Sequence, residues 1–199
     1  MNTLLIEWGV ASSTMRGQSQ SGDQHLVQPY TNGLLVAVVD GLGHGAQAAA
    51  AADLAVATLV NHAHESVIAL LKRCHDVLRE TRGVVMSLAS FNDQDRTLTW
   101  AGIGNVEGVL LRAEGSLHSQ HEYLLLRGGV VGDQLPSLNA SIIPLMEGDT
   151  LLFTTDGIRG GVAKELSASD PPQVMADRIL AKYSKGSDDA LVLVARYVK

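Results

Sequence analysis

The chain has 199 residues, enough for one substantial hydrophobic core, and 46% of them are apolar or aromatic. Lys and Arg number 15 against 21 Asp and Glu, a net charge of -6 with histidine neutral. That balance leaves no positive field to grip nucleic acid or an acidic membrane surface, so a phosphorylated partner must be held locally, for instance through metal. The single cysteine, Cys74, excludes an intramolecular disulfide and a Cys-rich zinc site and points to a reducing, cytoplasmic compartment.

The opening "MNTLLIEWGV" lacks the basic flank and apolar length of a signal peptide and reads as a strand over Leu4 to Ala11. His25 to Gln28 and Leu34 to Val39, aliphatic stretches between turn formers, read as two more. A helix then runs from about Gly45 through "AQAAAAADLAVATLVNHA", where alanine supplies helix propensity and a slim face that can lie close to a sheet. Its weakly polar part, Gly45 to Val60, is interrupted by Gln47 and Asp53 and falls short of the ~20 apolar residues of a membrane span. A second helix, Glu65 to Thr81, puts Val67, Leu70, Leu71, Cys74, Val77 and Leu78 on one stripe, with Gly83 ending it. On that stripe Cys74 is a buried structural thiol rather than a nucleophile. From Val84 to Val109 the apolar period falls to two, giving two or three strands with Asn92 to Asp95 as a hairpin turn. Strands follow at Glu122 to Leu126, Ala140 to Pro144 and Thr150 to Thr154, then a helix opened by "PPQ" and reaching Tyr183, then a strand over Ala190 to Val198. No linker, charge block or repeat divides the sequence, so 1–199 reads as one α+β domain, a sandwich of mostly antiparallel sheet covered by helices.

Four acidic places share one grammar, an apolar strand beside Asp-Gly or Gly-Asp. "SGDQH" puts Asp23 at a strand entry, "VVDGLGHG" and "LLFTTDGI" put Asp40 and Asp156 at strand exits, and "KGSDDALVLV" puts Asp188 and Asp189 before the last strand. A carboxylate at the lip of a buried sheet stays ionised only opposite a cation or a dense set of donors. Oxygen ligands of this kind suit Mg²⁺ or Mn²⁺ rather than zinc. Gly41 would let the main chain offer its carbonyl to an ion, and Gly43 and Gly45 permit a sharp turn into the alanine helix. The plain alternative for each acidic place alone is a turn or a cap.

The segments "SGDQH", "VVDGLGHGAQAAAAA", "AGIGNVEGVLL", "EGDTLLFTTDGI" and "SDDALVLVARY" resemble, in this order and over nearly the whole chain, the PPM (PP2C-type) metal-dependent serine/threonine phosphatases. The second and fourth are the most specific. The bacterial branch of sporulation and stress-response phosphatases is the nearest in character, and the small size is similar to members that give negative feedback in the sigma-B stress pathway by acting on phosphorylated stressosome scaffold proteins. The resemblance implies an αββα sandwich of two mostly antiparallel sheets flanked by helices, without a flap subdomain, with two Mn²⁺ or Mg²⁺ ions at one end.

Carried over by position, it makes Asp40 the carboxylate shared by two ions, gives Gly41 a carbonyl contact, and makes Asp156 and Asp188 further ligands with Asp23 near the second ion. Register leaves Asp188 and Asp189 open as alternatives. It favours Asp188 as ligand and puts Asp189 in the companion Asn/Asp position. The implied reaction is hydrolysis of phosphoserine or phosphothreonine by a hydroxide shared between the ions. Leu42 stands where eukaryotic members have a histidine. His44, two residues on, is a candidate acid for the leaving oxygen, and equally a residue closing the helix N-terminus. The family's phosphate-binding arginine has no clear counterpart, and Arg16 is a candidate. Asn105 reads as a turn residue, and His25, His62, His64, His75, His118 and His121 as surface or packing residues. A regulatory module of the same fold that binds a partner without catalysis, and a phosphatase of small phosphoesters, are the competing readings.

Overall fold

Leu34 to Val39 is buried on both faces, which is why the run is apolar throughout instead of alternating. In the computed structural model, which describes residues 6–113 and 120–198, it forms the middle of a central strand. The strands are β1 (Ile6–Ser13), β2 (Asp23–Tyr30), β3 (Gly33–Gly41), β4 (Val84–Asn92), β5 (Thr97–Ile103), β6 (Glu107–Leu111), β7 (His121–Tyr123), β8 (Leu126–Arg127), β9 (Ser141–Pro144), β10 (Thr150–Thr154) and β11 (Ala190–Tyr197); the helices are α1 (Ala46–His62), α2 (Val67–Val77) and α3 (Pro172–Tyr183). One sheet runs β1-β11-β10-β6-β7. The other runs β2-β3-β4-β5-β8, with β9 also on β5. The pairings are antiparallel except β5 with β8.

Three apolar layers hold four layers of structure together. Leu35, Ala37 and Val39 of β3 pack with Ala51, Ala52, Ala55 and Leu59 of α1 and with Leu70, Leu71 and Cys74 of α2. The alternate residues Leu34, Val36 and Val38 face the other sheet and meet Leu151, Phe153, Leu191 and Leu193. Beyond that sheet, Leu152, Val192 and Val194 lie against Met175, Ala176 and Ile179 of α3. The architecture is therefore α1/α2, sheet, sheet, α3, the αββα sandwich expected. Cys74 is fully buried, and burial pushes its thiol up to about 12, so it is a packing residue and not a nucleophile.

Two elements differ from the sequence reading. The single strand expected over Glu122 to Leu126 is split, with β7 in one sheet and β8 in the other. Leu124 is buried between the sheets and its N–H donates to the Gly108 carbonyl at 2.9 Å, so the chain crosses from sheet to sheet at this residue. The second helix stops at Val77, short of Gly83. The Thr81 hydroxyl takes the Leu78 carbonyl at 2.7 Å and accepts the Gly83 N–H at 3.0 Å, closing the chain into a turn in place of another helical turn. The hairpin turn is as expected, with Asn92 Oδ1 accepting the N–H groups of Gln94 and Asp95. Leu4, Leu5 and His118 lie outside the described residues. Among the described residues no helix is long and apolar enough to cross a membrane.

Candidate metal centre

Antiparallel pairing of β2 with β3 sets Asp23 directly opposite Asp40. One pair further on, the Gly41 N–H donates to the Gly22 carbonyl at 3.0 Å, so Asp23 and Asp40 occupy the intervening non-hydrogen-bonded position, where side chains on one face come closest. Two carboxylates are thus placed side by side at the end of one sheet. Gly41 is pressed against α1, and a Cβ there would overlap the Ala48 carbonyl. This is the close approach of the helix that its alanine pattern implied, and it leaves no room for a side chain at Gly41.

The second sheet brings its acids to the same end. Asp156 follows β10, and Asp188 and Asp189 precede β11, the two strands being paired. Thr155 and Asp189 tie the sheets together here. The Thr155 hydroxyl donates to Asp23 Oδ2 at 2.7 Å while accepting the Leu191 N–H, and Asp189 accepts the N–H groups of Gly22 and Met15, both at 2.7 Å. Asp189 therefore has both oxygens engaged in holding the loop of residues 14–22. Asp188, half-buried, accepts only the Asp189 N–H among the described residues.

Burial pushes Asp40 up to about 8, with the charges of Asp23, Asp156, Asp188 and Asp189 adding to it in that order. Burial likewise pushes Asp23 up to about 7, opposed by the Thr155 hydrogen bond and reinforced by Asp189, Asp156 and Asp188. Among the described residues none of these five carboxylates has a Lys, Arg or His ion-pair partner, and Asp40 accepts no hydrogen bond. A cluster of oxygen donors repelling one another without an internal cation is chemically matched to a hard divalent ion. No three Asp, Glu, His or Cys side chains among the described residues close tightly enough to cage an ion by themselves. An ion here would share these carboxylates with a main-chain carbonyl and water, as Mg²⁺ does.

The family model Stage II sporulation protein E (SpoIIE) matches residues 31–198. The chain belongs to the SpoIIE family. One relative in sequence is the phosphoserine phosphatase RsbX of Bacillus subtilis (strain 168), 26% identical over 142 residues, which are 71% of this chain and 69% of RsbX. A chain solved for the bacterial stressosome, "a modular system that has been adapted to control secondary messenger signaling", superimposes with a TM-score of 0.87 at 30% identity over 96% of this chain and 99% of that one. A crystal structure of RsbX in complex with magnesium superimposes with a TM-score of 0.86 at 22% identity, over 98% and 97% of the two chains. The fold of this SpoIIE-family chain is PP2C-like.

Asn105 is, with Thr155, a site residue whose contact was not expected from the sequence. It sits in the turn between β5 and β6, as expected, and its Nδ2 donates to Asp156 Oδ2 at 2.8 Å. The cause is register. Glu107 pairs with Thr154, so two steps past each strand end Asn105 comes to face Asp156. The exposed His44 precedes α1, whose N-cap residue Gly45 has no side chain with which to cap the helix. Arg16 is exposed in the loop that Asp189 holds through Met15. Of the other histidines among the described residues, His64 is exposed and the remaining four pack or pair elsewhere. His62 lies 3.2 Å from Glu65, His75 Nδ1 accepts the Gly132 N–H at 3.0 Å, and the rings of His25 and His121 stand against Trp8 and Tyr123.

Proposed function

We propose that the chain is a divalent-ion-dependent protein phosphatase that hydrolyses phosphoserine or phosphothreonine on stress-signalling proteins, the stressosome scaffold proteins above all. The observation that carries this reading is the cross-strand Asp23–Asp40 pair, unneutralised and coupled to Asp156 and Asp188 at one end of the sandwich. The relationship to a phosphoserine phosphatase and the likeness to a stressosome chain support the substrate class.

In this reading Asp40, the Gly41 carbonyl, Asp156 and Asp188 hold Mn²⁺ or Mg²⁺, with Asp23 near the second of two ions. When bound, such ions supply a nucleophilic water at neutral pH and positive charge for the phosphoryl oxygens. Asn105 orients Asp156 by fixing one of its oxygens, and Thr155 does the same for Asp23. Asp189 acts through the 14–22 loop, whose N–H groups it binds, and is a positioning residue. His44, exposed two residues beyond Leu42, is the candidate proton donor to the leaving serine oxygen.

The test is phosphate release from phosphorylated stressosome scaffold proteins by protein stripped with EDTA, followed by mass spectrometry of each substrate. Release that is absent without metal and restored by Mn²⁺ is the expected result. Release indifferent to metal, or binding of the scaffold with no release at all, would instead mark the centre as something other than a metallophosphatase. Much faster hydrolysis of free phosphoserine than of the phosphoproteins would transfer the assignment to small phosphoesters.

A further inference from the structure

Three basic residues, Arg16, Arg159 and Lys185, stand on segments that build the acidic centre, and a fourth, Arg82, on the turn before β4 that borders it; all are exposed, and none has an ion-pair partner among the described residues. Arg16 follows Met15, whose N–H is bound by Asp189. Arg82 precedes Gly83, whose carbonyl accepts the Leu42 N–H at 3.1 Å, and its Nη1 lies only 2.7 Å from where a Cβ on Gly43 would be. Arg159 lies shortly after Asp156, with its N–H on the Tyr183 carbonyl at 2.9 Å. Lys185 lies shortly before Asp188, with its N–H on the Gly157 carbonyl at 2.8 Å. By contrast Arg73, Arg79, Arg112, Arg178 and Lys182 are each paired with a carboxylate.

We infer that these residues form a basic rim that docks a phosphoprotein segment with acidic residues beside its phosphoserine. The inference rests on the phosphatase reading and specifies its substrate class. The charges decide the sign. A chain of net charge -6 repels an acidic partner at long range, and its carboxylate centre alone would favour basic flanks. Unpaired cations on three segments of that centre and on the turn bordering it reverse the preference locally, and an unpaired guanidinium fork matches a carboxylate in two hydrogen bonds.

The experiment uses two synthetic phosphoserine peptides that differ only in their flanks, Asp/Glu in one and Lys/Arg in the other, with p-nitrophenyl phosphate as a third substrate. Wild-type protein with Mn²⁺ is expected to prefer the acidic-flanked peptide by about tenfold in kcat/KM, through KM, and to lose that preference as salt is raised. The double variant Arg82→Glu and Lys185→Glu is expected to abolish or invert the preference. Lys72→Glu, on an exposed face of α2, is expected to leave it intact. Both positions of the double variant are exposed, and its circular dichroism should match wild type. Wild-type protein that turns over p-nitrophenyl phosphate but treats the peptides alike, or a preference that survives the double charge reversal, overturns the rim alone. Protein that turns over none of the three substrates overturns the phosphatase reading, and the rim with it.

Discussion

Asp40→Asn is expected to cut kcat for phosphoserine hydrolysis by on the order of a thousandfold or more while making the metal-free protein more stable. The two effects have one origin. Losing a residue that merely orients a ligand typically costs about 10- to 100-fold, and a carboxylate at the middle of the cluster, coupled to Asp23, Asp156, Asp188 and Asp189, should cost more. The same substitution keeps the shape of the side chain and removes one of the repelling, poorly solvated charges. The metal-free variant should therefore gain about 1–3 kcal/mol at pH 8, visible as a melting temperature higher by several degrees. Purified variant and wild type are compared by steady-state kinetics with Mn²⁺ and by thermal melting in EDTA. Loss of activity accompanied by loss of stability would mean that Asp40 is a structural residue; retained activity would remove it from the centre.

Stripped of metal, the protein is expected to become less stable as pH rises from about 5.5 to 8.5. In the unfolded chain Asp23 and Asp40 lose their protons near the ordinary carboxylate value of 3.8, but in the folded chain only near 7 and 8. Between these limits the folded state holds more protons than the unfolded one, so stability falls with rising pH and levels off above the folded values. Their joint effect is on the order of a few kcal/mol, or about 5–10 °C in melting temperature for a chain of this size. Saturating Mn²⁺ or Mg²⁺ should reverse the trend, since an ion favours the ionised carboxylates that burial and repulsion disfavour. Melts in EDTA and in Mn²⁺ across this range measure both slopes. A metal-free melting temperature that is flat or rises toward pH 8.5 would show that the acids are not confined together.

Local chemistry made most of the fold legible. The unbroken apolar run of β3 signalled burial on both faces, and the stripe of α2 placed Cys74 in the core. The Thr150–Thr154 strand and the helix end at Tyr183 coincide with their expected bounds. What stayed hidden depends on which strands pair and in what register. Asp23 and Asp40 each look like an ordinary turn acid, and only the β2–β3 ladder makes them neighbours. Asn105 looks like a loop residue until the β6–β10 ladder sets it against Asp156. Thr155 has no marker in the sequence at all, because its partners Asp23 and Leu191 come from distant strands. The split between β7 and β8 was invisible for a related reason: Leu124 is apolar whether it continues a strand or fills the space between two sheets.

Calorimetric titration of Mn²⁺ into metal-free protein at pH 7 is the most direct test that these acids form an ion site. Saturable binding is expected, with proton release seen as a heat that varies with the ionisation enthalpy of the buffer, because Asp23 and Asp40 must give up protons to accept the ion. Asp40→Asn should weaken binding by at least about 100-fold. Absence of saturable binding to the wild-type protein, or equal affinity in the variant, would contradict the account.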